Sequence, residues 1–156
     1  MIILCMRGMP KSTAVSVENG IIDYDMEVSH RMVRIARDPM WTLMYVDSLL
    51  SMDRQGFTVL GDVNKHIIKG MDSEGIDYKI IIPDISLKKA WFEMMAAEVK
   101  KNPRAAALES MITLSKEYDD IFRSLKDRDN TIIIKDMDFS LENIIEDIKK
   151  VSYVSK

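Results

Sequence analysis

The chain has 156 residues, 47% of them hydrophobic and 30% charged, with a formal net charge of −3. That length and apolar content suit one domain with a closed core, and the near balance of charge points to neither nucleic acid nor an anionic membrane as a partner. The single cysteine, Cys5, excludes a disulfide framework and a paired-thiol zinc site, and it fits a reducing, cytoplasmic compartment.

The opening run MIILCM is followed at once by Arg7 and Gly8. Six apolar residues are too few for a signal peptide's central region or a membrane span, so a soluble, unprocessed chain is expected. Short apolar runs then alternate with longer segments of helical period, the pattern of strand, crossover helix and parallel strand. Strands are predicted at about residues 1–6, 21–24, 57–61, 78–83 and 131–135. Runs such as Tyr78–Ile82 and Thr131–Ile134 are continuously apolar or β-branched, as strands buried on both faces require.

Asp38-Pro39 opens a predicted helix with Trp41, Met44, Tyr45, Ser48, Leu49 and Met52 on one face, ending near Gly56. Asn64 opens a second that stops at Gly75, and Ser86 is the expected cap of a third carrying Leu87, Trp91, Met94 and Met95. A long amphipathic helix follows Pro103, with Leu108, Met111, Ile112, Tyr118, Ile121, Phe122 and Leu125 at helical spacing. Ser140 and Asn143 start the last helix, whose buried stripe is Leu141, Ile144, Ile145 and Ile148. The expected organisation is one α/β domain over residues 1–152, a doubly wound, mainly parallel five-stranded sheet with helices on both faces, and a frayed tail at 153–156. The thirteen methionines read as adaptable core filling.

The first strand runs into Cys5-Met6-Arg7-Gly8-Met9-Pro10-Lys11-Ser12-Thr13. Aligned on Lys11-Ser12, this stretch resembles the loop GLPGSGKST of P-loop kinases, with Gly8, Lys11, Ser12 and Thr13 matching. Ile21-Ile22-Asp23-Tyr24-Asp25 is similar to the apolar-apolar-Asp-x-Asp segment of small phage-encoded nucleotide kinases. The resemblance continues through Trp41 and Tyr45, Gly56-Phe57-Thr58-Val59-Leu60, Gly75 to Asp84, and Leu87-Lys88-Lys89-Ala90-Trp91, and covers roughly residues 1–95 in order. It implies a P-loop kinase-like fold, with Gly8, Lys11, Ser12 and Thr13 on the phosphates of ATP and Ser12 on Mg²⁺. It also implies that Asp23 or Asp25 lies near an acceptor hydroxyl, the catalytic set then being Lys11, Asp23 and Asp25. Asp62 follows the third strand, where P-loop proteins place a carboxylate that helps to hold Mg²⁺, and reads equally as a turn or helix-capping residue next to Asn64.

The chain departs from that pattern in three places. Cys5 replaces the first signature glycine, Pro10 replaces the glycine before the lysine, and Met94, Met95 and Ala96 stand where arginines would close over phosphate. Proline has no N–H and a fixed φ, whereas such a loop works by wrapping phosphate in backbone N–H groups.

Two readings of the loop therefore stand side by side: a phosphate cradle, and a strand-to-helix turn with a solvated Lys11. The two aspartates have their own pair of readings, crevice ligands or turn and cap residues. His30 and His66 accompany no serine or cysteine nucleophile and read as ordinary surface or interface residues. Lys135-Asp136-Met137-Asp138 ends a strand, to line the crevice or merely close the sheet.

At the level of function, the favoured expectation is a catalytically degenerate kinase-like binding or regulatory module, with a host protein, a small nucleotide or a second copy as partner. The alternative is an active nucleotide or polynucleotide kinase with an atypical loop.

Overall fold

The apolar runs pair into one sheet of five strands: β1 Ile2–Cys5, β2 Ile21–Asp23, β3 Thr58–Asp62, β4 Lys79–Pro83 and β5 Thr131–Ile134. The computed structural model describes residues 1–24 and 39–154. The strand order is β2-β3-β1-β4-β5 and every neighbouring pair is parallel. Each strand end lies within one residue of its expected place, because the runs are continuously apolar and flanked by turn residues. β1 and β3 are buried along their whole length, with Ile2 opposite Val59 and Cys5 opposite both Asp62 and Ile81.

Five helices are described: α1 Pro39–Arg54, α2 Lys65–Ser73, α3 Lys88–Lys101, α4 Ala105–Leu125 and α5 Leu141–Val154. The connection from β1 to β2 steps across the sheet one way, and those from β2 to β3, β3 to β4 and β4 to β5 step the other way. Right-handed crossovers then put α1 and α2 on one face and the β1–β2 connection on the opposite face. There α5 packs beside residues 11–13, while α1 packs on α2 and on β3. The result is a doubly wound α/β fold.

Four local expectations need correction. Met44 is exposed, and Val46 is buried with Trp41, Tyr45 and Leu49. The reason is α2, which approaches closely at Gly70 and turns the buried arc of α1 toward Thr42 and Val46. Ser86 does not cap α3: Asp84 caps a short 3₁₀ turn at Ile85–Leu87 and accepts from the Ser86 hydroxyl at 2.6 Å. A carboxylate two residues earlier outcompetes the hydroxyl as acceptor. In α4 the inward stripe runs through Ser110, Leu114, Tyr118 and Leu125, leaving Leu108 and Ile112 about half exposed. Finally, α5 continues to Val154 through the start of the expected tail, with no glycine or proline to stop it and Ser152 bonded back to the Ile148 carbonyl.

Among the described residues no helix is long and apolar enough to cross a membrane.

Candidate functional site at the carboxyl edge of the sheet

Ligands of open α/β sheets bind beyond the carboxyl ends of the strands, where connections diverge to opposite sides. Here that place is the end of β1, whose chain turns toward β2 while that of neighbouring β4 turns toward β5. Met6 extends the sheet by donating its N–H to Ile81 at 3.1 Å, and Gly8 then takes φ +86°, a left-handed conformation that favours glycine. Pro10 has φ −75° and ψ 64°, the geometry at the centre of an inverse γ-turn. The matching hydrogen bond is present: the Lys11 N–H donates to the Met9 carbonyl at 2.8 Å.

These turns occupy several of the backbone donors a phosphate would need. The N–H groups of Met9, Lys11 and Thr13 go to carbonyls of the loop itself, and Pro10 has none. Residues Lys11–Thr13 form a 3₁₀ helix of three residues, too short for the aligned peptide dipoles of an α-helix terminus. Thr13 turns its hydroxyl back to the Pro10 carbonyl at 2.7 Å, and Ser12 stays exposed.

Lys11 itself points inward. Its ammonium donates to Asp23 Oδ1 at 2.7 Å, with side chains only 9% and 30% exposed. The solvated lysine of the turn reading is thereby corrected. A cation this deep needs a counterion, and the last residue of β2 supplies it.

Asp62, at the end of β3 and opposite Cys5, is 6% exposed. Its N–H donates to the Tyr45 hydroxyl at 3.2 Å. Gly61 makes room for that ring, since a Cβ there would lie 3.1 Å from the Tyr45 oxygen. Tyr24 meets Tyr45 edge-on at 4.7 Å between centroids, and Trp41 lies 5.4 Å away. Burial pushes the Tyr45 hydroxyl well above its ordinary range, with Asp62 adding to the effect. Burial likewise pushes the Cys5 thiol up to about 12, outweighing the opposing pull of Lys11, so Cys5 is an inert core residue rather than a nucleophile.

From the other side α3 closes on the loop. The Trp91 indole N–H donates to the Arg7 carbonyl at 2.9 Å, and Trp91 stacks on Phe139 at 5.9 Å. A Cβ on Gly8 would lie 2.8 Å from Met95 and 2.9 Å from the Trp91 nitrogen. One of the methionines standing where arginines were expected thus packs directly on the loop. Of the nearby cations, Lys88 pairs with Asp119 at 2.8 Å and Lys89 lies 4.0 Å from Glu93, while Lys100, Lys101 and Arg104 are exposed.

The structure brings Lys11, Asp23 and Asp62 to one edge of the sheet with Gly8, Ser12 and Thr13 beside them. Asp25 and His30 lie outside the described residues, and His66 is exposed on α2. Asp136 accepts from the Asp138 N–H at 2.9 Å and Lys135 reaches Asp84, just past the end of β4, at 3.2 Å, so that segment closes the sheet with one local bond and one to the neighbouring strand end. Sequence reasoning missed the clamp of Trp91 and Met95 on Gly8, which joins residues more than eighty positions apart and leaves no local signal. Among the described residues no three histidine, cysteine or acidic side chains are grouped to hold a metal ion.

Comparisons with protein-family models, with curated proteins and with solved structures give no significant match. The functional reading therefore rests on the geometry and on the residues themselves.

Proposed function

We propose that the chain is a degenerate P-loop kinase-like scaffold that acts by binding a partner rather than by transferring phosphate. The observation that carries this reading is the Lys11–Asp23 pair at 2.7 Å. Lys11, the lysine that the loop would place on a β- or γ-phosphate, is already neutralised by a carboxylate of the same chain. Three further features support it: the N–H groups of Met9, Lys11 and Thr13 bond to the loop's own carbonyls, Pro10 lacks a donor, and Trp91 with Met95 occupies the space over Gly8. The residues present do not fit Mg·ATP, because phosphate would have to displace Asp23, reopen the γ-turn and push back α3 together. Each of these contacts differs in kind, so no single substitution restores the cradle.

The second reading, an active nucleotide or polynucleotide kinase, draws on the convergence of Lys11, Asp23 and Asp62 with an exposed Ser12 on one sheet edge.

Calorimetric titration with Mg·ATP and Mg·GTP separates the two. The scaffold reading expects no heat at millimolar nucleotide from the native chain and none from Lys11→Ala. Binding by the native chain that Lys11→Ala abolishes would overturn it in favour of a kinase.

A further inference from the structure

The opposite, amino-terminal edge of the sheet carries an open groove of about 1100 Å³. Its apolar surface comes from Ile132 of β5 and from Ile144, Ile148, Val151 and Tyr153 of α5. Val151 is 69% exposed and Tyr153 79%, and the neighbouring Val154 is 88% exposed, so the last turn of α5 presents apolar surface that the core does not use.

Charge in the groove leans acidic. The charged groups lining it are Asp53, Asp77, Asp129, Asp147, Lys79, Lys149 and the Met1 amine. Lys149 is held by Glu146 at 3.0 Å and Asp53 by the Met1 amine. That leaves three exposed aspartates, Asp77, Asp129 and Asp147, facing Lys79, with Asp147 also in an exposed contact with Lys150 at 3.5 Å.

We propose that this groove docks a short basic amphipathic segment of a partner protein, its apolar side on Val151, Tyr153 and Ile132 and its lysines or arginines on Asp77, Asp129 and Asp147. The charge selects the occupant. An acidic or neutral segment would leave the aspartates unanswered, and a second copy would bring the same three aspartates against them. This inference rests on the binding-module reading and adds the partner's chemistry. It concerns the edge opposite Lys11, so its failure and a failure at the nucleotide site are read in different experiments.

The test uses a synthetic peptide of about fourteen residues with leucine and tyrosine on one helical face and lysine on the other, beside its glutamate-for-lysine counterpart. Amide chemical shifts of the labelled full chain report where each peptide binds. The lysine peptide is expected to bind with micromolar affinity and shift Ile132, Ile144, Val151 and Tyr153, and the glutamate peptide not to bind. The triple variant Asp77→Asn, Asp129→Asn, Asp147→Asn should weaken binding about 10-fold or more, as should raising salt from about 50 to 300 mM, since exposed charges are screened over such distances. Tyr153→Ser tests the apolar contact separately and should weaken binding about 5- to 10-fold at unchanged salt dependence. The inference is overturned by equal binding of both peptides, by undiminished binding to the triple variant, by shifts confined to another face, or by no binding at millimolar peptide. Self-association that Tyr153→Ser abolishes would instead assign the groove to a second copy.

Discussion

The two edges of the sheet are finished in opposite ways. At the carboxyl edge polar groups are buried and answered from within: Lys11 by Asp23, the Asp62 N–H by Tyr45, the Arg7 carbonyl by Trp91. At the amino edge more charged groups are exposed, Asp77, Asp129 and Asp147 among them, and a groove stays open beside apolar side chains of α5. In an open α/β sheet the first edge is the usual ligand site. Here it has the character of a core, and the second has the character of an open surface, where the proposed docking groove lies. The difference teaches that a fold's customary site is not necessarily the working site of a particular chain, because the side chains that fill the crevice decide.

The sharpest way to break this comparison is to open the carboxyl edge. Trp91 is fully buried, its indole bonds to Arg7, and its ring stacks on Phe139. Trp91→Ala should cost about 3–5 kcal/mol in urea unfolding, as the cavity and the lost hydrogen bond act together. If the loss were under about 1 kcal/mol, α3 would be a loose cover over the loop and the crevice would be open in practice.

A smaller effect is expected at the ion pair. Asp23→Asn leaves a lysine 9% exposed without its counterion and should cost somewhat less than the roughly 3–5 kcal/mol of a fully buried pair, because Asp23 retains contact with water. Lys11→Met, which removes the buried charge and keeps the stem's volume, should lose less than Asp23→Asn when both are unfolded in urea. The reverse order would mean that Lys11 is stabilised by contacts other than Asp23.

How far these edges were legible in the sequence follows from the range of the interactions. Strands and helices depend on local periodicity, so β1 to β5 and the Asn64 cap, which accepts the His66 N–H at 2.8 Å, could be read directly. The positions of Lys11, Asp23 and Asp62 at strand ends were legible for the same reason. Their partnership was not, since it depends on β2 and β1 lying on either side of β3. Pro10 signalled a lost donor, but its γ-turn, which takes the Lys11 N–H as well, needed the backbone geometry. The groove was invisible because its aspartates come from four separate segments, and only the return of α5 to the amino edge gathers them.

The smallest effect, and the one that measures how exposed the amino edge is, concerns pH. Tyr78 and Asn130 line the groove, and just behind them Arg128 donates to Asp72 at 2.8 and 3.1 Å and to the Tyr78 hydroxyl at 2.8 Å, while Tyr78 donates to Asp72 at 2.7 Å. The Arg128 hydrogen bond holds the Asp72 carboxyl below its ordinary value of 3.8, against a smaller opposing effect of desolvation. A carboxylate with a depressed value in the folded state binds fewer protons there than in the unfolded chain. Its contribution is therefore complete above the unfolded value near pH 4 and is lost as pH falls through the lower folded value. With the Asp72 side chain 44% exposed, solvent screening limits that contribution to under about 1 kcal/mol. Arg128→Ala should accordingly flatten the acid limb of stability below about pH 4 while leaving the Lys11–Asp23 edge unchanged. Urea unfolding at a series of pH values measures both chains. An acid limb identical in the two would show that Arg128 does not hold Asp72, and that the amino edge is fastened by packing rather than by charge.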